Sequence, residues 1–247
     1  MPMPTEKYVY GVVAADAAAP KGKGIGGRPL QVIREEACAA LVSDITPPVQ
    51  AGKDELTTHA DVLQRALESG PVLPMQFGVV VPDEQVVREQ LLGAFAGELS
   101  EQLHDFDGKV ELHLRAVFDE AALMEDVVSS NAKVLALSEA LRDKPPDATY
   151  YERIELGQEV AQTVEGIALE ECQQIVEELS PLFVDALVND PQHERVACDA
   201  AFLVEQEKLG DFDGAVDGLG AQHQGRLTFT YTGPHPPYSF VELPLQV

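Results

Sequence analysis

The hydrophobic positions change period several times along the chain, and each change marks an element. Residues 7–14, KYVYGVVA, are an apolar run of strand length. A Gly-rich link from Lys21 to Gly27 leads to PLQVIREE and then CAALVSDI, two further strand patterns, and Pro47 with Pro48 closes that meander. From Asp54 to Ser69 the period becomes helical, with Leu56, Ala60, Leu63 and Leu67 spaced for one buried face. Gly70 and Pro71 end the helix. VLPMQFGVVV follows as a wholly apolar strand, in which Pro74 marks an edge, a bend or the strand start. Asp83 to Leu103 predicts a second helix, stopped near Asp107-Gly108.

The cleanest alternation comes next. Val110, Leu112, Leu114, Ala116 and Phe118 face one way, and Glu111, His113 and Arg115 face the other. Helical sequence runs from Glu120 to Arg142 and breaks at Pro145-Pro146. A long helix covers Tyr151 to Leu179, with Leu156, Val160, Val164, Ile167 and Ile175 inward. Val196 to Val204 reads as a strand, Gly210 to Gln222 as a glycine-interrupted helix, and Leu227 to Tyr231 as the last strand, stopped by Gly233 and Pro234. Strands mixed with helices predict an α+β protein of two parts. Residues 1–108 form an N-terminal domain with a mixed sheet and helices. Residues 109–247 form a ferredoxin-like domain whose first crossover is enlarged.

Beyond Pro234 the chain stays extended through His235, Pro236 and Pro237, then runs into Tyr238, Phe240, Val241 and Leu243. A terminus this apolar docks on its own domain or on a partner. Two readings therefore stand for the 72–81 strand and for the tail: internal core, or contact surface. On the second reading the contact residues are Pro74, Phe77, Val79, Tyr238 and Phe240. A contact tail predicts that ending the chain after Gly233 abolishes partner binding and leaves a folded protein.

Charge narrows the partners. The 247 residues carry 42 acidic against 17 basic side chains, a formal net charge of -25. Such a surface repels phosphate, which argues against nucleic acid and against an anionic membrane. It keeps a protein soluble, including one that exposes apolar surface to work. Cys38, Cys172 and Cys198 are odd in number, far apart and in apolar surroundings, which suits buried thiols in a reducing cytoplasm. No signal-peptide pattern is expected at the N-terminus, and no run reaches the ~20 apolar residues of a membrane span.

No catalytic or metal-binding pattern survives inspection. Gly22, Gly24 and Gly27 match G-x-G-x-x-G, but Pro29, Leu30, Val32 and Ile33 open a strand where a dinucleotide site needs a helix. DFDG occurs at Asp105 to Gly108 and at Asp211 to Gly214. In an EF-hand register the second copy puts Ala215, Val216 and Gln222 where an oxygen ligand, a glycine and a glutamate belong, which leaves turn and capping roles. The histidines show no zinc spacing. Neighbouring carboxylates such as Glu170-Glu171 point about 100° apart on a helix and do not converge. The protein is expected to be no enzyme and to hold no cofactor or metal.

With these segments in view, YVYGVV, PVLPMQFGVV, KVELHLRAVFDE and YTGPHPPYSFV, in that order, resemble the gas vesicle protein F/L family over almost the whole chain. Family members commonly carry a basic residue where this chain has Gln76. The resemblance implies a two-part α+β cytoplasmic protein, associated with gas vesicles, that assists their assembly. It implies the apolar major shell subunit as partner, together with other accessory proteins. A retained component of the finished vesicle is the alternative, and a small-molecule-binding or enzymatic ferredoxin-like protein the competing class. The sequence leaves the oligomeric state open.

Overall fold

The computed structural model describes residues 6–46, 50–145 and 148–243. Pro47, Pro48 and Pro146, assigned to chain breaks above, lie outside the described residues. The described residues form two antiparallel sheets and seven helices, an α+β architecture. The chain divides into two compact units, Met1–Glu111 with Pro234–Val247, and Leu112–Gly233.

In the first unit β1 (Glu6–Ala14) is the central strand, and six consecutive residues from Tyr8 to Val13 are buried. That explains its unbroken apolar run, since a strand covered on both faces has no polar side. β2 (Leu30–Glu35) and β3 (Cys38–Ile45) form a hairpin beside it, giving the order β2-β3-β1-β4. The link at Gly24–Gly27 is anchored, because the Ile25 N–H donates to the Tyr10 hydroxyl at 2.7 Å. It opens a short 3-10 turn and then β2, so no long helix N-terminus faces the glycines.

Helix α1 (Lys53–Leu67) buries His59, Val62, Leu63, Ala66 and Leu67. The stripe is turned from the expected one: Leu63 and Leu67 belong to it, but Leu56 is 46% exposed and Ala60 is exposed. A histidine holds the place that an apolar count gave to its neighbours. The expected 72–81 strand is two short pieces, β4 (Val72–Pro74) and β5 (Val80–Val81), both antiparallel to β1. The expected helix over 83–103 is also broken. It consists of α2 (Glu84–Val86), a π-helical stretch Val87–Gly93, and α3 (Ala96–Asp105), with Phe95 at φ -126° between them. The wider π turn keeps Val87, Leu91 and Leu92 buried.

The second unit takes most of β6 (Lys109–Phe118), then α4 (Glu120–Ser130), α5 (Ala132–Leu141), α6 (Tyr150–Leu179), β7 (Asp185–Val188), β8 (Val196–Glu205), α7 (Leu209–Gln222) and β9 (Leu227–His235). Connectivity is β-α-β-β-α-β with three helices in the first crossover, and the strand order is β7-β8-β6-β9. The helical run over 120–142 divides because Asn131 leaves helical angles and caps α5, its side chain accepting from the N–H groups of Lys133 and Val134. β7 was not foreseen, being four residues long and mostly exposed. β9 does not stop at Gly233. It runs through Pro234 to His235, which an edge strand tolerates because its outer donors need no ladder partner. Phe118, Phe202, Phe212, Ile175 and Leu179 lie in one apolar core, each such side chain stabilising by roughly 2–3 kcal/mol.

One feature of this unit corrects the sequence reading, and a second adds to it. Cys172 on α6 and Cys198 on β8 are joined as a disulfide with Cα atoms 4.7 Å apart, while Cys38 is a buried free thiol. The 26-residue separation hid a pair that helix-on-sheet packing brings together. Glu171, one of the neighbouring carboxylates, is 4% exposed and carries structure. Arg226 binds it and also Asp126, at 2.8 Å, while His223 Nδ1 sits 3.3 Å from it. A buried carboxylate needs such partners.

Candidate functional site

The first unit holds the features on which a docking surface can be built. β4 and β5 pair with the same side of β1, so the residues between them leave the ladder and return to it. The exit is marked by the Met75 N–H donating to the Tyr10 carbonyl at 2.8 Å, and the return by the Val9 N–H donating to the Val79 carbonyl at 2.9 Å. Gln76 and Gly78 are exposed and Phe77 is half-buried. Gly78 has φ +98°, which a side chain would resist.

This excursion is clamped from beneath. His59 Nε2 lies 3.1 Å from the Met75 carbonyl oxygen, and a carbonyl only accepts, so Nε2 carries the proton. Nδ1 of the neutral ring is then the acceptor, and the Tyr8 hydroxyl, 2.9 Å away, donates to it. The same hydroxyl accepts from the Gly78 N–H at 3.0 Å. Both ends of the M-Q-F-G turn are thus tied to two side chains of the core. The Phe77 ring stands edge-on to His59 at 5.7 Å and tilted to Tyr8 at 6.0 Å. Burial pushes the Tyr8 phenol up to about 12, opposed by the Gly78 hydrogen bond, with smaller upward contributions from Tyr10 and from Tyr238 of the tail.

Burial also lowers the His59 pKa, and the hydrogen bond to Met75 opposes this without prevailing. The sign follows directly. The folded protein binds less proton than the unfolded chain once the pH falls below the unfolded histidine value of about 6.5. The contribution of His59 to stability is full above that value and is lost as the pH drops toward the lowered one. Urea midpoints should therefore fall between about pH 7.5 and about pH 5, with a shallower fall in His59→Gln. Equal slopes in the two proteins would show that His59 is not held neutral.

The tail belongs to this unit. Pro236 and Pro237 are buried, and the N–H groups of Phe240 and Val241 turn back onto the Pro237 carbonyl at 3.2 and 3.1 Å. The N–H and hydroxyl of Ser239 donate to the two oxygens of Glu111 at 2.7 and 2.8 Å. Glu111 is 0% exposed, although strand alternation placed it on a polar face, because the tail is laid over it. The Gln102 amide exchanges two further hydrogen bonds with the Glu242 backbone, at 2.8 and 3.2 Å.

The five residues singled out from sequence fall as follows. Pro74 is buried opposite Gly11 in the ladder. Phe77 and Val79 are half-buried in and beside the excursion. Tyr238 is 42% exposed and Phe240 is half-buried. Tyr238 and the excursion belong to the same unit. Sequence reasoning missed Tyr8, His59 and Glu111. The spacing of His59 to Val62, Leu63 and Ala66 is the signal that could have found one of them. Among the described residues no group of three or more His, Cys, Asp or Glu side chains could hold a metal ion, and no helix is long and apolar enough to cross a membrane.

Residues 6–242 match the model of the family described as gas vesicle synthesis protein GvpL/GvpF. Gas vesicle protein F of Streptomyces sp. (strain CB03234) is 34% identical over 95% of this chain and 99% of its own length. Gas vesicle protein F1 of Halobacterium salinarum is 28% identical over 96% and 92%. The crystal structure of GvpF from Anabaena sp. PCC7120 superposes with a TM-score of 0.86, at 23% identity, over 97% of this chain and 99% of that one. GvpF from Microcystis aeruginosa gives a TM-score of 0.81 over 96% and 99%. Two units, a broken edge strand and a docked tail are therefore features of a chain that belongs to the GvpL/GvpF family of gas vesicle synthesis proteins.

Proposed function

We propose that this protein is an accessory factor in gas vesicle assembly, which binds the apolar major shell subunit and keeps it dispersed until it joins a growing shell. It does so by contact, without chemistry on the subunit. The observation that carries this reading is the M-Q-F-G excursion, a turn at a sheet edge with a half-buried Phe77 between exposed Gln76 and Gly78, whose conformation is fixed by Tyr8 and His59 before any partner arrives. Preorganisation of that kind lowers the ordering cost of binding. Phe77 within the turn and Tyr238 of the tail supply aromatic anchors, and among the described residues β5 pairs only with β1, which leaves its outer backbone groups for an added strand. The net charge of -25 keeps the loaded complex in solution.

Co-expression with the major shell subunit tests this, with a folded acidic protein of similar size as control. Soluble subunit should co-purify with this chain and not with the control. Phe77→Ala and Tyr238→Ala should each reduce the recovered subunit about tenfold while leaving the fold intact. Wild-type recovery by both variants would move the contact elsewhere, and no recovery by the wild type would remove direct recognition by this chain alone.

A further inference from the structure

A second surface, in the other unit, is untouched by that reading. A cleft of about 580 Å³ lies between α4, α6 and the connection from β7 to β8. Val160, Val164 and Leu123 line its floor, and Met124, 42% exposed, stands at its wall. We propose that this cleft is a docking groove for an amphipathic helix of another protein, one that carries basic residues beside its apolar face.

The pattern along α6 fits a helix. Gly157, Ala161, Val164 and Ala168 line the cleft at spacings of four, three and four, which is the 3.5-residue period of a helix–helix seam. They span roughly 16 Å of axis, about three turns. The same spacing continues backward to Ile154 and Tyr150, which are 42% and 63% exposed. Exposed apolar side chains therefore extend the seam beyond the cleft. A Cβ added at Gly157 would meet nothing within 4 Å, so the space above the helix there is open.

Charge selects the occupant. Glu120, Glu165 and Glu194 stand at the rim with His193 and Arg195, and Arg195 lies 3.8 Å from Glu120. His193 Nε2 is itself 3.4 Å from Arg115. Helix α6 carries eight acidic residues and one basic one, and the second unit, residues 112–233, carries 24 acidic and 8 basic, a net charge of -16. A second copy of this chain would bring the same charge and be repelled. A helix flanked by lysine or arginine would be attracted, at a rate that falls with salt.

The test uses the full chain and three labelled model peptides of about 20 residues, long enough to hold a helix. One has a Leu/Ala face with lysine elsewhere, one has the same face with glutamate, and one is lysine-rich without an apolar face. Fluorescence anisotropy should show the amphipathic lysine peptide binding at least ~10-fold tighter than either of the others. Gly157→Leu and Ala161→Leu, which fill the groove from exposed positions, should each weaken that binding by about tenfold with unchanged circular dichroism and melting temperature. Equal binding of all three peptides, absence of binding, or wild-type affinity in both folded groove variants would overturn the proposal. Failure here leaves the shell-subunit reading intact, because that contact lies in the other unit.

Discussion

Ending the chain after Gly233 is expected to destabilise the first unit by roughly 3–5 kcal/mol, an estimate built from lost charge-assisted hydrogen bonds and lost apolar burial. The cut removes the two bonds that Ser239 donates to Glu111, a carboxylate with no solvent exposure. It also uncovers the surface under Pro236 and Pro237 and frees Gln102. Urea denaturation followed by tyrosine fluorescence should show an early transition that the intact chain lacks. The tail is therefore core and surface at once, since Tyr238 remains 42% exposed on a segment whose neighbours are buried. Full stability in the shortened protein, with loss of shell-subunit capture, would instead make the tail a contact arm alone.

Gly11→Ala should cost about 3 kcal/mol or more, at the upper end of overpacking penalties. A Cβ at position 11 would lie 2.6 Å from the Leu73 carbonyl oxygen and 2.9 Å from Leu63 Cδ2. The first of these is backbone, so relief requires β4 to move off β1 or α1 to lift. Either motion disturbs the base of the excursion, because the Met75 N–H binds the neighbouring Tyr10 carbonyl. Gly26→Ala is the matched control: its φ of +65° costs about 1 kcal/mol, but no atom lies within 4 Å of the new Cβ. Equal thermal shifts in the two variants would show that close approach at Gly11 is not what the strand pairing depends on.

The elements that could be read from the chain are those whose evidence is local. β1, β3 and β6 announce themselves by apolar runs or alternation, and α6 by thirty residues of helical period. What could not be read depends on partners far away in sequence. Glu111 looks solvent-facing until a segment 128 residues later covers it. Cys172 and Cys198 look isolated until α6 is laid on β8. His59 looks polar until Tyr8 and Met75 satisfy both its nitrogens. The 72–81 segment has strand composition throughout, and nothing in its residue types says that five of them, Met75 to Val79, lie outside both strands. Phe77 and Tyr238 stand out in the sequence by residue type, but the hydrogen bonds of Tyr8 and His59 that hold the turn around Phe77 do not.

The docked tail also sets an order on synthesis. A ribosome makes the strands of the first unit at the outset, but their cover over Glu111 emerges only after the 122 residues of 112–233. The second unit is one continuous stretch and has left the ribosome before the tail does. The first must wait, with its sheet assembled and one flank bare, and such half-finished states are the ones prone to aggregate. A reporter fused directly behind Leu243 would sit beside the last closing contacts, whereas one at the amino end would leave that final step free.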